Sequence, residues 1–126
     1  MSAVPSDARP ATFPKSERLC SKSAIASLMD GGRRGAKGCL RFCCLKPGTG
    51  DGPRVLISVP KRYFKRAVKR NLLKRRIREA WRLNKSLLAA DCPPFDILLT
   101  FGMNDVREYR EIESALRSIL EEVASW

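Results

Sequence analysis

The sequence predicts an α+β fold: a two-layer sandwich in which a small central sheet of about four strands carries packed helices. Three observations predict it. The chain has 126 residues, enough for one domain with one modest core. Short alternating or apolar runs, bounded by Pro and Gly, read as strands. Longer stretches repeat apolar residues at helical spacing. Residues 1–16 hold Pro5, Pro10 and Pro14 without periodicity and are read as a flexible lead-in. Residues 17–126 are read as the domain.

The elements follow in order. A short helix from Ser21 or Lys22 to Asp30 places Ile25, Leu28 and Met29 on one face, and Gly31-Gly32 stops it. Residues 33–38 read as a basic, glycine-containing loop. Cys39 to Lys46 alternates, with Leu40, Phe42 and Cys44 opposite Arg41, and reads as a strand. Val55 to Val59 is a second strand, and the turn cluster from Pro47 to Pro53 suggests an antiparallel hairpin between the two. A long helix spans Arg66 to Leu83. Asp96 to Phe101 is almost continuously apolar and reads as a central strand covered on both faces. Asp105, with Glu108 three residues later, resembles a capping box that opens a last helix. Tyr109, Ile112, Leu116, Ile119, Leu120 and Val123 form its apolar stripe.

Charge narrows the function. Lys plus Arg number 25 and Asp plus Glu 13, a net +12. Residues 61–85 hold twelve basic residues and one acid, Glu79, a local +11, whereas residues 86–126 hold three basic and eight acidic residues, a local −5. One segment therefore carries nearly the whole net charge, which points to a polyanionic partner and one binding face. No run reaches the roughly 20 apolar residues that span a bilayer. The first residues lack an apolar signal core, so a cytoplasmic location and no membrane partner are expected. The five cysteines (Cys20, Cys39, Cys43, Cys44, Cys92) are odd in number and read as free thiols, with Cys43 and Cys44 on opposite faces of their strand. Without His or a second Cys pair, no metal site is expected. No nucleophile–base pair or paired carboxylates lie near the basic segment, so no catalytic residue is assigned.

On a helix, Leu73, Ile77, Ala80 and Trp81 fall on one side. Asn71, Lys74, Arg75, Arg78, Arg82 and Lys85 fall together on the other. One register yields both faces, which describes an ordered element and not a basic tail. Arg matches phosphate oxygens in two-point fashion, and the Asn71 amide can read a base edge or a ribose hydroxyl. Like charges at i, i+3 and i+4 cost a few tenths of a kcal/mol per pair, so a counter-anion is implied. A merely solvated face, or a calmodulin-type or membrane-surface helix, would fit a weaker charge bias or a bulkier apolar face.

The run Arg70-Asn71-Leu72-Leu73-Lys74-Arg75-Arg76-Ile77-Arg78-Glu79 resembles the signature of the bacterial ribonuclease P protein component, Arg-Asn-x-x-Lys-Arg-x-x-Arg-Glu, at every fixed position. Glu17-Arg18-Leu19, Gly32, Ile57 to Arg62, Ala80-Trp81-Arg82 and Asp96-Ile97-Leu98-Leu99 are similar to further family segments, and the resemblance spans residues 13–124. It implies a left-handed βαβ crossover through the basic helix, contrary to the usual hand. It also implies a ribozyme cofactor, a monomer bound 1:1 to a catalytic RNA. That RNA, with magnesium ions held mainly by it and none tightly by the protein, would remove the 5′ leader of precursor tRNA as an endoribonuclease. Arg70, Asn71, Lys74, Arg75, Arg78 and Arg82 would face the RNA subunit. A cleft at Ile25, Met29, Leu40, Arg41, Cys43, Lys61 and Arg62 would hold the leader, with aliphatic and sulfur side chains where the family usually has aromatics. A ribosomal or ribosome-assembly RNA-binding protein is the alternative that composition alone leaves open.

Overall fold

The computed structural model describes residues 18–19, 21–48, 50, 52–88 and 92–126. The lead-in at residues 1–16 and Cys20 lie outside the described residues. The elements are α1 (Lys22–Gly31), β1 (Arg33–Lys37), β2 (Leu40–Leu45), β3 (Arg54–Ser58), α2 (Ala67–Asn84), a short 3₁₀ turn (Lys85–Leu87), β4 (Asp96–Phe101) and α3 (Tyr109–Ala124). The sheet order is β1-β2-β4-β3. The α+β class and the four-strand sheet agree with the sequence reading; three local expectations do not.

The first correction is residues 33–38, a strand and not a loop. β1 pairs antiparallel with β2, Gly35 opposite Phe42. Edge strand β1 buries almost nothing, so it shows no apolar alternation. Gly35 is where the Phe42 ring folds over it, since a Cβ there would lie 2.6 Å from the ring. The second correction is the hairpin: β2 and β3 are not neighbours. β4 lies between them, antiparallel to β2 and parallel to β3. Its apolar side chains are covered on both faces, and its backbone N–H and C=O groups are paired along both edges. The segment between β2 and β3 instead crosses the start of β4, where Gly48 N–H donates to the Pro94 carbonyl. The third correction is the capping box. α3 begins at Tyr109 with Glu108 as its N-cap, and no side-chain cap forms. Asp105 instead accepts from Arg107 Nε at 2.9 Å, and Arg107 Nη1 reaches Glu111 at 3.0 Å.

α2 and α3 pack on one sheet face around the main core, which includes Leu40, Phe42, Cys44, Val55, Ile97, Leu99 and Phe101 from the strands. Leu73, Ile77, Ala80 and Trp81 of α2 are fully buried there, as the register predicts. Trp81 meets Phe95 edge-on at 6.4 Å. α1 lies on the opposite face over a small cluster of Leu19, Ala24, Leu28 and Cys43. Cys43 and Cys44 thus enter different cores, as alternation requires. Gly32 both closes the end of α1 and lets it dock: a Cβ there would lie 2.5 Å from the Leu28 carbonyl of the last helical turn and 2.6 Å from Cys43 Sγ on the sheet.

Candidate nucleic-acid interface

The basic segment is presented by a rigid connection. After β3, Val59 and Phe64 are buried, and Phe64 meets Phe101 at 5.9 Å. Between them Lys61 and Arg62 are exposed, and the Arg62 guanidinium lies over the Tyr63 ring at 4.9 Å. Apolar anchors at each end therefore fix a short cationic stretch ahead of α2.

On α2 the expected stripe divides. Asn71, Arg75 and Arg78 are exposed, and Lys74 is half-buried on the same side. Lys69 is exposed one turn earlier. Arg70 departs from the expectation of a direct contact. It is half-buried, and its Nη1 donates to the carbonyls of Phe64 at 2.7 Å and Lys65 at 3.0 Å. Arg82 departs too, since it grips Glu79 in two-point fashion at 2.8 and 2.7 Å. That grip holds the Glu79 carboxyl below its ordinary range and raises the Arg82 guanidinium. Lys85 leaves the stripe altogether, being buried in the 3₁₀ turn.

The second expected surface is the sheet face beside α1. Met29 and Arg41 are exposed and Ile25 is half-buried there. Leu40 is corrected: it points to the other face, fully buried in the main core. Cys43 is on the right face, but it is buried under α1 and its thiol donates to the Leu28 carbonyl. Sequence reasoning missed two members of this face. Register places Arg41, Thr100 and Ser58 in one cross-strand row, the hydroxyl residues half-buried. The alternation of β4, with Ile97, Leu99 and Phe101 inward, was the signal that could have found Thr100.

Other polar groups serve the fold. Arg54 pairs with the fully buried Asp96 at 3.2 Å. Lys46 Nζ donates to the carbonyls of Val123 and Trp126 at the end of α3, a favourable place for a cation. Between α2 and α3, Glu113 accepts from Asn84 at 2.9 Å and from the Tyr109 hydroxyl at 3.1 Å. These bonds, led by Asn84, lower the Glu113 pKa. Burial, then the Glu113 bond, pushes Tyr109 up to about 12. Burial likewise pushes the Cys44 thiol to about 12, so it is protonated at neutral pH and unsuited to thiolate chemistry. Among the described residues no three His, Cys, Asp or Glu side chains come together as a metal cluster. Among them, too, no helix is long and apolar enough to cross a membrane.

An ordered cationic helix face on a small mixed sheet defines a class: an α+β protein built to bind a polyanion. Comparison with known proteins makes the class specific. The Ribonuclease P family model matches residues 13–124, and the chain belongs to that family. It is 36% identical over 105 residues to the ribonuclease P protein component of Citrifermentans bemidjiense, covering 82% of this chain and 85% of that one. It is 39% identical over 74 residues to that of Porphyromonas gingivalis, covering 56% of this chain and about half, 54%, of the relative. The RNase P protein of Thermotoga maritima superposes with a TM-score of 0.70 at 23% identity, over 84% of this chain and 96% of that one. The Staphylococcus aureus protein gives 0.68 at 22% identity, over 87% and 96%. These likenesses establish the fold.

Proposed function

We propose that this chain is the protein subunit of ribonuclease P, and that it holds the catalytic RNA while that RNA removes the 5′ leader of precursor tRNA. The observation that carries the reading is the exposed face of α2, where Asn71, Lys74, Arg75 and Arg78 share one side of a helix whose other side is locked into the core. Fixed cations make phosphate contacts without ordering a flexible segment, so more of the contact energy appears as affinity. Magnesium belongs to the RNA in this reading, where phosphates supply the hard oxygen ligands that it prefers. The leader lies on the sheet face beside α1, against Met29, Ile25 and the Arg41–Thr100–Ser58 row. The chain acts as a monomer, one copy per RNA, in the cytoplasm.

Reconstitution tests this. The protein, the matching catalytic RNA and a precursor tRNA are combined at low magnesium, and release of the leader is followed. Cleavage is expected with both components and not with the protein alone. Leader release by the protein without RNA would overturn the reading.

A further inference from the structure

A groove lies beside the start of α2, apart from the stripe and the sheet face. One wall carries Lys65, Arg66 and Lys69; the other carries Asn104 and Val106 from the loop between β4 and α3. Tyr63 lines it between them, and the space measures about 430 Å³. Lys65, Arg66 and Lys69 are all exposed, and none has an ion-pair partner among the described residues. The one acid lining the groove, Asp105, is taken by Arg107 at 2.9 Å. The groove thus brings together three cations without ion-pair partners and one carboxylate, Asp105, that shares Arg107 with Glu111, around a space of nucleotide size.

Both walls are held from α2. Arg70 Nη1 donates to the Phe64 and Lys65 carbonyls at 2.7 and 3.0 Å, which fixes the cationic wall. Arg76 Nη1 donates to the Arg107 carbonyl, which fixes the loop opposite. Two guanidinium groups of a helix rich in phosphate-binding chemistry are thus spent on main-chain carbonyls. Each holds the backbone of one wall in place.

We propose that this groove binds one nucleotide of single-stranded RNA. Lys65, Arg66 and Lys69 hold its phosphate, Tyr63 and Val106 flank the base or ribose, and the Asn104 amide contacts a polar edge. Arg70 and Arg76 are positioning residues that set the distance between the walls. Charge fits a phosphate, and the amide and aromatic surface beside it fit a nucleotide better than an inorganic anion. The inference rests on the RNA-binding reading above.

The test uses the full-length chain and two probes: the catalytic RNA alone, and precursor tRNA added to the assembled complex. Asn104→Asp places a carboxylate at an exposed loop position facing Lys65, Arg66 and Lys69, where it competes with and repels a phosphate, with folding checked by circular dichroism. It should weaken one of the two affinities about tenfold, and the probe affected identifies the source of the nucleotide. The double variant Lys65→Ala/Arg66→Ala should weaken the same probe and lower its salt slope by about two phosphate contacts. Arg70→Ala should weaken it too, but add little in the Lys65→Ala/Arg66→Ala background, as expected of a residue acting through its neighbours. Full additivity would make Arg70 a phosphate contact in its own right and overturn its positioning role. If Asn104→Asp and the double variant leave both affinities within twofold while Arg78→Ala weakens binding, the groove proposal is wrong and the RNA-binding reading survives. If Arg78→Ala also has no effect, both fail.

Discussion

Arg78 and Arg82 stand one turn apart on α2, and their surroundings give them different work. Arg78 is exposed, whereas the Arg82 guanidinium is closed on Glu79. Arg78→Ala should weaken RNA binding and reduce the dependence of log K on log salt by about one phosphate contact. Arg82→Ala should change that slope less, because its charge is already compensated. Filter binding across a salt series measures both. Glu113 gives a pH prediction. Its carboxylate is stabilised in the fold by Asn84 and Tyr109, so its pKa is lowered. The stability this contributes is present above the ordinary carboxylate range and is lost as pH falls through the lowered value. Glu113→Gln should therefore flatten the acid side of the stability profile, read as urea midpoints at neutral and acid pH. Equal acid sensitivity in the two proteins would remove Glu113 as a cause.

At the scale of elements, α2 buries Leu73, Ile77, Ala80 and Trp81 in the core and leaves Asn71, Arg75 and Arg78 exposed. Trp81→Ala should cost about 3–5 kcal/mol in denaturant unfolding, since the ring is fully buried against Phe95. Gly32→Ala should cost about 1–3 kcal/mol, because the new methyl would crowd the Leu28 carbonyl within the last turn of α1 and the Cys43 thiol of β2. α2, α3 and β4 were legible because each carries a long apolar pattern that the core later uses. β1 was illegible, for Arg33-Arg34-Gly35-Ala36-Lys37 has no apolar side to reveal. Its strand state comes from pairing with β2 and from the Phe42 ring. The β2–β3 hairpin failed as an expectation because local turn chemistry carries no information about a strand that arrives forty residues later. Within the candidate site the exposed stripe followed from periodicity. The engagement of Arg70 did not, since its partners are main-chain carbonyls, which every residue has.

For the molecule as a whole, charge is segregated between elements. Residues 61–85 carry +11 and residues 86–126 carry −5, and α2 and α3, which lie within those two segments, share one sheet face. Such a distribution should turn the protein toward a polyanion before contact and make association faster at low ionic strength. Stopped-flow association rates with the catalytic RNA should fall steeply as salt rises. A salt-independent rate would show that orientation by charge plays no part.

The position of β4 has a consequence for how the protein comes into being. The strand made last occupies an inner place in the sheet, between β2 and β3. A growing chain that has emerged only as far as α2 can pair β1 with β2 and bridge Arg18 to Val55, but the β4 edge of β3 stays unpaired, and the floor beneath Leu73, Ile77 and Trp81 is incomplete. The cationic helix is then synthesised some time before it can be seated. Its seating waits on the arrival of Asp96 to Phe101, the strand that completes the sheet beneath it.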